Sequence, residues 1–287
     1  MSTQIPTAHV QAYKANVIML AQQRGSRLRR TVREDGEMVG KQVFFDRIGA
    51  TAAVKNTVRH GDTPLVTTQH SRRMAPLVDY DWADMIDSQD RIRTIMDPTN
   101  PYARNGGWAM GRAFDDEIIS AANGTAATGE TGSGSQALPA AQQIAAGGAG
   151  LTLAKLISAR EILDAADVDP DMTRYAIVTA RQITNLLNDT TITSADFNTV
   201  KALVSGEINT FMGFEFIRTE RLTTDGSSDR LCLFYTRDAI GIEVPKDITT
   251  DIGPRRDKRN ATQVYLCASV ASVRIEDEQL VQVACQE

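Results

Sequence analysis

Apolar positions change their spacing along this chain, and each change marks an element. Val10, Tyr13, Val17 and Leu20 recur at intervals of three and four, one narrow stripe on a predicted helix that otherwise carries Gln, Lys and Asn. A stripe so narrow suits docking on a neighbour. From Lys41 to Tyr80 the chain reads as β: "KQVFFDRIGATAAVKNTV" and "LVTTQHSRRMAPLVDY" flank the breaker "RHGDTP" and predict one long hairpin or loop pair. Large apolar side chains are sparse between Thr51 and Met74, and isolated two-stranded hairpins are marginal in water, so the hairpin is expected to lie on another subunit. The stretch "YDWADMIDSQDRIRTIMDPTNPYARNGGWAMGRAFDDEIISAANGTA" predicts the longest helical territory, interrupted where Pro98 and Pro101 break or offset it. Asn123 to Gln136, rich in Gly, Thr and Ser, reads as a flexible connection.

The second half alternates. Thr152 is the candidate cap of an amphipathic helix with Leu153, Leu156, Ile157 and Leu163 inward. "RYAIVTA" predicts a strand, "RQITNLLND" and "SADFNTVKALVSG" predict helices, and Phe214 and Phe216 begin a half-buried strand after Gly213. "RLCLFYT" and "AIGIEVP" add strands or a strand and a turn, and the close gives two final strands around "EDEQ". The sum is α+β, with strands in blocks rather than in repeating βαβ units.

Composition narrows the function more than the fold. The 287 residues are 42% hydrophobic and 23% charged, ordinary for a globular protein, and suffice for one large domain or two. Thirty-one basic against 36 acidic side chains leave a formal charge of −5, which argues against a surface that grips nucleic acid throughout; such contact must be local. Cys232, Cys267 and Cys285 form no CxxC pair and read as reduced, buried thiols. No apolar run is long enough for a membrane span and the N-terminus has no signal-peptide pattern, so a cytoplasmic product is expected.

Candidate chemistry is thin. Arg24, Arg27, Arg29, Arg30 and Arg33 gather positive charge that the acidic average conceals, and the sequence leaves open a solvated run, a neighbour's carboxylates or enclosed nucleic acid as what they meet. His60, Asp62 and His70 most resemble a metal set, yet ligands must converge within a supporting shell, and surface or structural histidines are expected. Asp115, Asp116 and Glu117 invite an acid–base reading, which needs a cleft that separates their pKa values; a solvated or ion-paired face is expected instead. The glycines of "AAGGAGLTLAKL" have the wrong spacing before Lys155 for a phosphate loop. No catalytic residue, metal ligand or cofactor is expected.

The segments "RHGDTPL", "HSRRMAPLVDYDWADMID", "DPTNPYA", "GRAFDDEIISAANGTA", "LPAAQQIA", "LTLAKLISAREILDAADV" and "GEINTFMGFEFI", in that order, resemble the major capsid proteins of tailed bacteriophages, whose fold is the Hong Kong 97 type. The resemblance implies an N-terminal arm at 1–40, an extended β-hairpin (E-loop) at 41–80, a peripheral domain (P-domain) at 81–172 with a spine helix within Asp84 to Ala122, an axial domain (A-domain) at 173–245 and return strands of the P-domain at 246–287. It implies hexamers and pentamers closing an icosahedral shell around double-stranded DNA, with scaffolding, portal and decoration proteins as further partners and no membrane. The virion is then its place, after assembly in the host cytoplasm. The resemblance also implies an independent scaffold, because the roughly 40 residues before the hairpin are too few for the cut-away scaffold segment of some members. Lys55 and Asn260 are the residue types for the covalent crosslink that some members form. The subunit interface is expected at Val10, Tyr13, Val17, Leu20, Arg24, Arg27, Arg29 and Arg30 of the arm and at Arg59, His60, Asp62, Arg72 and Arg73 of the hairpin; residues up to Arg33 are expected to hold none of the subunit core. An encapsulin-type compartment shell keeps the fold and exchanges DNA for an enzyme cargo. A cytosolic enzyme using His60, Asp62, His70, Asp115 or Asp116 is the alternative of another class, weakened by a total of 3 histidines.

Overall fold

The computed structural model describes residues 22–35, 37–57, 59, 61–87, 99–188 and 210–287. Contacts divide the chain into two compact units. The first holds the chain up to Arg30, Leu77–Glu117 and Val244–Val270; the second holds Thr31–Pro76, Ile118–Glu243 and Ala271–Glu287.

The strands are β1 (Glu37–Val39), β2 (Gln42–Ile48), β3 (His70–Pro76), β4 (Val78–Ile86), β5 (Ala126–Thr128), β6 (Gly134–Gln136), β7 (Gln143–Ile144), β8 (Arg174–Val178), β9 (Thr210–Phe211), β10 (Phe214–Arg218), β11 (Arg230–Thr236), β12 (Ile240–Arg255), β13 (Ala261–Arg274) and β14 (Leu280–Cys285). The helices are α1 (Thr99–Asn123), α2 (Leu153–Ala165) and α3 (Ala180–Leu187).

In the first unit β4 runs antiparallel to β13, from Val78 opposite Val270 to Ile86 opposite Thr262. The sequence reading had placed the start of a long helix here. Tyr80, Trp82 and Ile86 instead share one face of a strand while Asp79 and Asp81 point the other way, a period of two that the acidic residues disguised. Ile86, Met110, Val264 and Leu266 form a buried cluster, with Tyr80, Trp82, Ala103 and Ile248 packed against it. The described helix α1 runs from Thr99, and Pro101 sits in the first turn of that span, where a missing N–H costs little. Residues 88–98, which include Pro98 and the expected helix before the break, lie outside the described residues.

The second unit is built on a mixed sheet ordered β7-β14-β11-β8-β10-β9. Its strands β8 and β10 are parallel, so one crossover unit interrupts the expected segregation of strands from helices. Phe214 meets Phe234 edge to face at 5.2 Å in the buried layer of this sheet. Met212 and Gly213 both carry positive φ, which makes the tight turn from β9 into β10. Thr152 caps α2 as expected, its hydroxyl accepting from the Lys155 amide at 3.4 Å. Leu156 and Leu163 are buried and Leu153 is half-buried, but Ile157 is 47% exposed, because the buried stripe runs through 156, 159 and 163 and leaves 157 off the face.

A second sheet of this unit is ordered β1-β2-β3-β5-β6. Here the expected flexible connection proves to be a hairpin, with Arg73 and Met74 of β3 opposite Thr128 and Ala127 of β5. Its small residues serve close packing: a Cβ on Gly132 would lie 2.3 Å from Cε of Met74. Cys232 and Cys285 are buried and free, and Cys267 is half-buried and free.

Candidate assembly surfaces

The hairpin β2–β3 is antiparallel from Gln42 opposite Pro76 to Ile48 opposite His70, and its last rung is the Gly49 amide donating to Gln69 at 2.8 Å. Its root is core: Val43, Phe44, Phe45 and Ala75 are buried. Beyond the rung, every described residue from 49 to 69 except Thr68 is exposed. Val54 is 57% and Leu65 96% exposed. Arg59 and Asp62 lie in this excursion and His60 falls outside the described residues. Arg72 donates to Asp46 at 2.5 Å and lies over the Phe44 ring at 5.0 Å; its guanidinium holds the exposed Asp46 carboxyl below the usual range. Arg73 corrects the sequence reading. It is 4% exposed and donates to the Ile275 carbonyl at 3.2 Å and to Asp277 at 2.7 Å, so its charge is satisfied within its own chain.

Val10, Tyr13, Val17 and Leu20 lie outside the described residues. The arginine segment after them is anchored. Asp115 of α1 is buried and accepts from Gln23, from the Ser26 hydroxyl at 2.5 Å and from the Arg27 and Leu28 amides at 3.1 Å. A Cβ on Gly111 would lie 2.5 Å from the Gly25 backbone, so only glycine lets the segment cross the helix this closely. Arg24 stacks over Trp108 at 5.4 Å and Arg29 over Phe114 at 5.9 Å, and Arg29 pairs with Asp247 at 3.1 Å. Arg27 and Arg30 are exposed. Leu28 and Val32 are fully buried, and Thr31 shares a hydrogen bond with the Tyr235 hydroxyl at 2.7 Å. Arg33 then exchanges backbone hydrogen bonds with Ile240 and Ile242 at 3.0 and 2.8 Å. The expectation that residues up to Arg33 hold no core is therefore wrong, because single apolar residues between arginines carry no periodic signal.

The three carboxylates of α1 do not form a reactive pair. Asp115 caps the arm's turn, and Glu117 accepts from the Tyr80 hydroxyl, whose pKa burial and that carboxylate push up. Among the described residues no three His, Cys, Asp or Glu side chains gather as a metal set. Sequence reasoning missed two cations that serve backbone carbonyls, Lys155 half-buried and Arg274 buried. Lys155 donates to the carbonyls of Ala146, Ala149 and Ala284 at 2.9, 2.7 and 3.0 Å, and Arg274, fully buried, donates to Ala122, Gly124 and Gln136 carbonyls at 3.0, 2.7 and 2.9 Å and to Asp277 at 2.5 Å. The signal for Arg274 was present: one charge inside the alternating apolar run "ASVASVRI".

Residues 5–287 match the sequence model described as phage capsid protein. The chain belongs to the phage capsid protein family. Solved structures agree on the fold. The cyanophage P-SCSP1u capsid is 15% identical with a TM-score of 0.73, covering 98% of this chain and 94% of that one. The Ralstonia phage GP4 capsid is 12% identical at 0.71, covering 97% and 96%, and the cyanophage Pam1 capsid 13% identical at 0.69, covering 99% of each. No curated protein matches the sequence. The expected α+β fold is thus shared with phage capsid chains, and the protein is a capsid shell component of a phage virion. Its family points to a structural role.

Proposed function

We propose that this phage capsid protein is the major one, its copies assembling as hexamers and pentamers of an icosahedral head around double-stranded DNA. The observation that carries the reading is the exposed excursion from Gly49 to Gln69, which puts large apolar side chains such as Leu65 in water on a strand pair whose root alone is buried. Apolar surface held out this way loses free energy to a neighbour at roughly 25 cal/mol per Å² covered. Many such contacts, each modest, become cooperative when a closed shell satisfies them together. In the family's terms we assign 1–40 to the arm, 41–80 to the E-loop, 81–172 to the P-domain, 173–245 to the A-domain and 246–287 to return strands. The neighbour contacts proposed are Val10, Tyr13, Val17, Leu20, Arg24, Arg27, Arg29 and Arg30 of the arm and Arg59, His60, Asp62 and Arg72 of the hairpin; Arg73 leaves the set because it is buried within its own chain.

A scaffolding protein guides assembly in the host cytoplasm, and portal and decoration proteins complete the shell. DNA is held without sequence preference, and a net charge of −5 suits a wall that packaged DNA slides past. Co-expression with a scaffold should give particles of megadalton size by light scattering that protect DNA once packaging proteins are supplied. A chain that stays monomeric under every such condition would overturn the reading.

A further inference from the structure

Both strands of the hairpin are fastened to one turn, Ile275 to Asp277, by one arginine each. From β3, buried Arg73 reaches the Ile275 carbonyl at 3.2 Å and Asp277 at 2.7 Å. From β2, Arg47 reaches Glu276 at 3.1 Å, with about a quarter to a third of each side chain open to solvent (26% and 33%). Between them Phe45 and Ile275 close over Gly241, where a Cβ would lie 2.6 and 2.7 Å from their side chains. The turn is itself fixed, because the Ile275 and Glu276 amides both donate to Ala239 at 2.8 and 3.2 Å. Asp277 also binds Arg274, which gathers the last carbonyls of α1 and the ends of the β5–β6 hairpin.

Three guanidinium groups thus share two carboxylates. Burial pushes the Arg73 pKa down, Asp277 pulls it back, and Arg47 and Arg274 push it down further. The two attachments differ in kind. The inner one is dry and multiply hydrogen-bonded, and losing either partner would strand a buried charge. The outer one is a single half-solvated ion pair, open to salt.

We propose that the turn Ile275–Asp277 is the mount that sets the direction of the β2–β3 hairpin, with Arg73–Asp277 as its fixed point and Arg47–Glu276 as its releasable one. Arg47 and Glu276 are positioning residues: they decide where the tip is presented. The proposal rests on the reading above that this hairpin is an assembly element, and the test separates the two. Hydrogen exchange of the unassembled full-length chain reads the mount directly. Glu276→Gln should raise exchange of β2 and β3 amides about two- to fivefold and leave β8, β11 and β14 unchanged. Added salt should produce the same rise in the wild type, and the exchanged pair Arg47→Glu with Glu276→Arg should restore protection. Asp277→Asn, if it folds, should extend the rise into the end of α1. Unchanged hairpin exchange in Glu276→Gln, or a rise spread evenly over the chain, overturns the mount. A confined rise with shells forming at wild-type yield leaves the mount standing and removes the hairpin from assembly.

Discussion

The arm segment from Gln22 to Arg33 and the hairpin tip from Gly49 to Gln69 look alike in sequence, both polar and short of large apolar groups. They end in opposite situations. The arm segment is stitched to α1 by Asp115 and buries Leu28 and Val32, whereas the tip keeps nearly every described side chain in water. What separates them is where their backbone amides find acceptors. A buried carboxylate supplied from another element orders one; the other leaves its strand ladder at the Gly49–Gln69 rung. Polar composition alone does not distinguish a strap from a free limb.

The contrast can be broken most severely at Asp115. Asp115→Ala strands the Arg27 and Leu28 amides and should cost about 3 kcal/mol of subunit stability, seen as a lower urea midpoint. A cost below about 0.5 kcal/mol would mean that the arm is not held as described. Leu28→Ala should cost about 2–3 kcal/mol by the same measurement, whereas Leu65→Ala at the tip should move the isolated subunit by less than about 0.5 kcal/mol while lowering shell yield. Arg59→Glu belongs with Leu65→Ala: melting of the subunit should hold and particle yield by light scattering should fall. If melting falls as far as yield, the tip packs within its own chain.

The smallest effect is a pH response at the borders of both regions. The Arg33 hydrogen bond lowers the Asp35 pKa and the Arg72 hydrogen bond lowers that of Asp46, each from an ordinary 3.8. A depressed carboxyl stabilises fully above its unfolded value and loses that contribution as pH falls through its folded value, so both pairs should fade only below about pH 4. Both are exposed, so the loss should be slight and screened by salt. Replacing Arg72 with Gln should abolish the part of the acid sensitivity that belongs to the hairpin in urea titrations at low ionic strength.

The sequence was most legible where one periodicity ruled. β8, β11, α2 with its Thr152 cap and the two final strands stand where their apolar spacing placed them, because each buries a face against its own unit. It misled where charge overlay pattern. Asp79 and Asp81 of "VDYDWADMI" occupy the open face of β4 and, with Asp84, masked the period of two carried by Tyr80, Trp82 and Ile86. Glycine and serine in Asn123 to Gln136 suggested looseness where they permit tight packing under Met74. Arg73 was expected to meet a neighbour on its charge, and a cation's partner is set by tertiary approach that no local spacing encodes. Asp277 escaped notice for the same reason.

The hairpin's closing rung has a further consequence for chain length. Once the root is fixed, the entropy of closing the loop beyond Gly49 and Gln69 grows only with the logarithm of its length, about 0.6 kcal/mol for each doubling. Residues can be added to or removed from the tip at almost no thermodynamic penalty to the subunit. Reach is therefore a nearly free variable in this molecule, one that evolution or an engineer can adjust to span a different gap without rewriting the sheet that carries it.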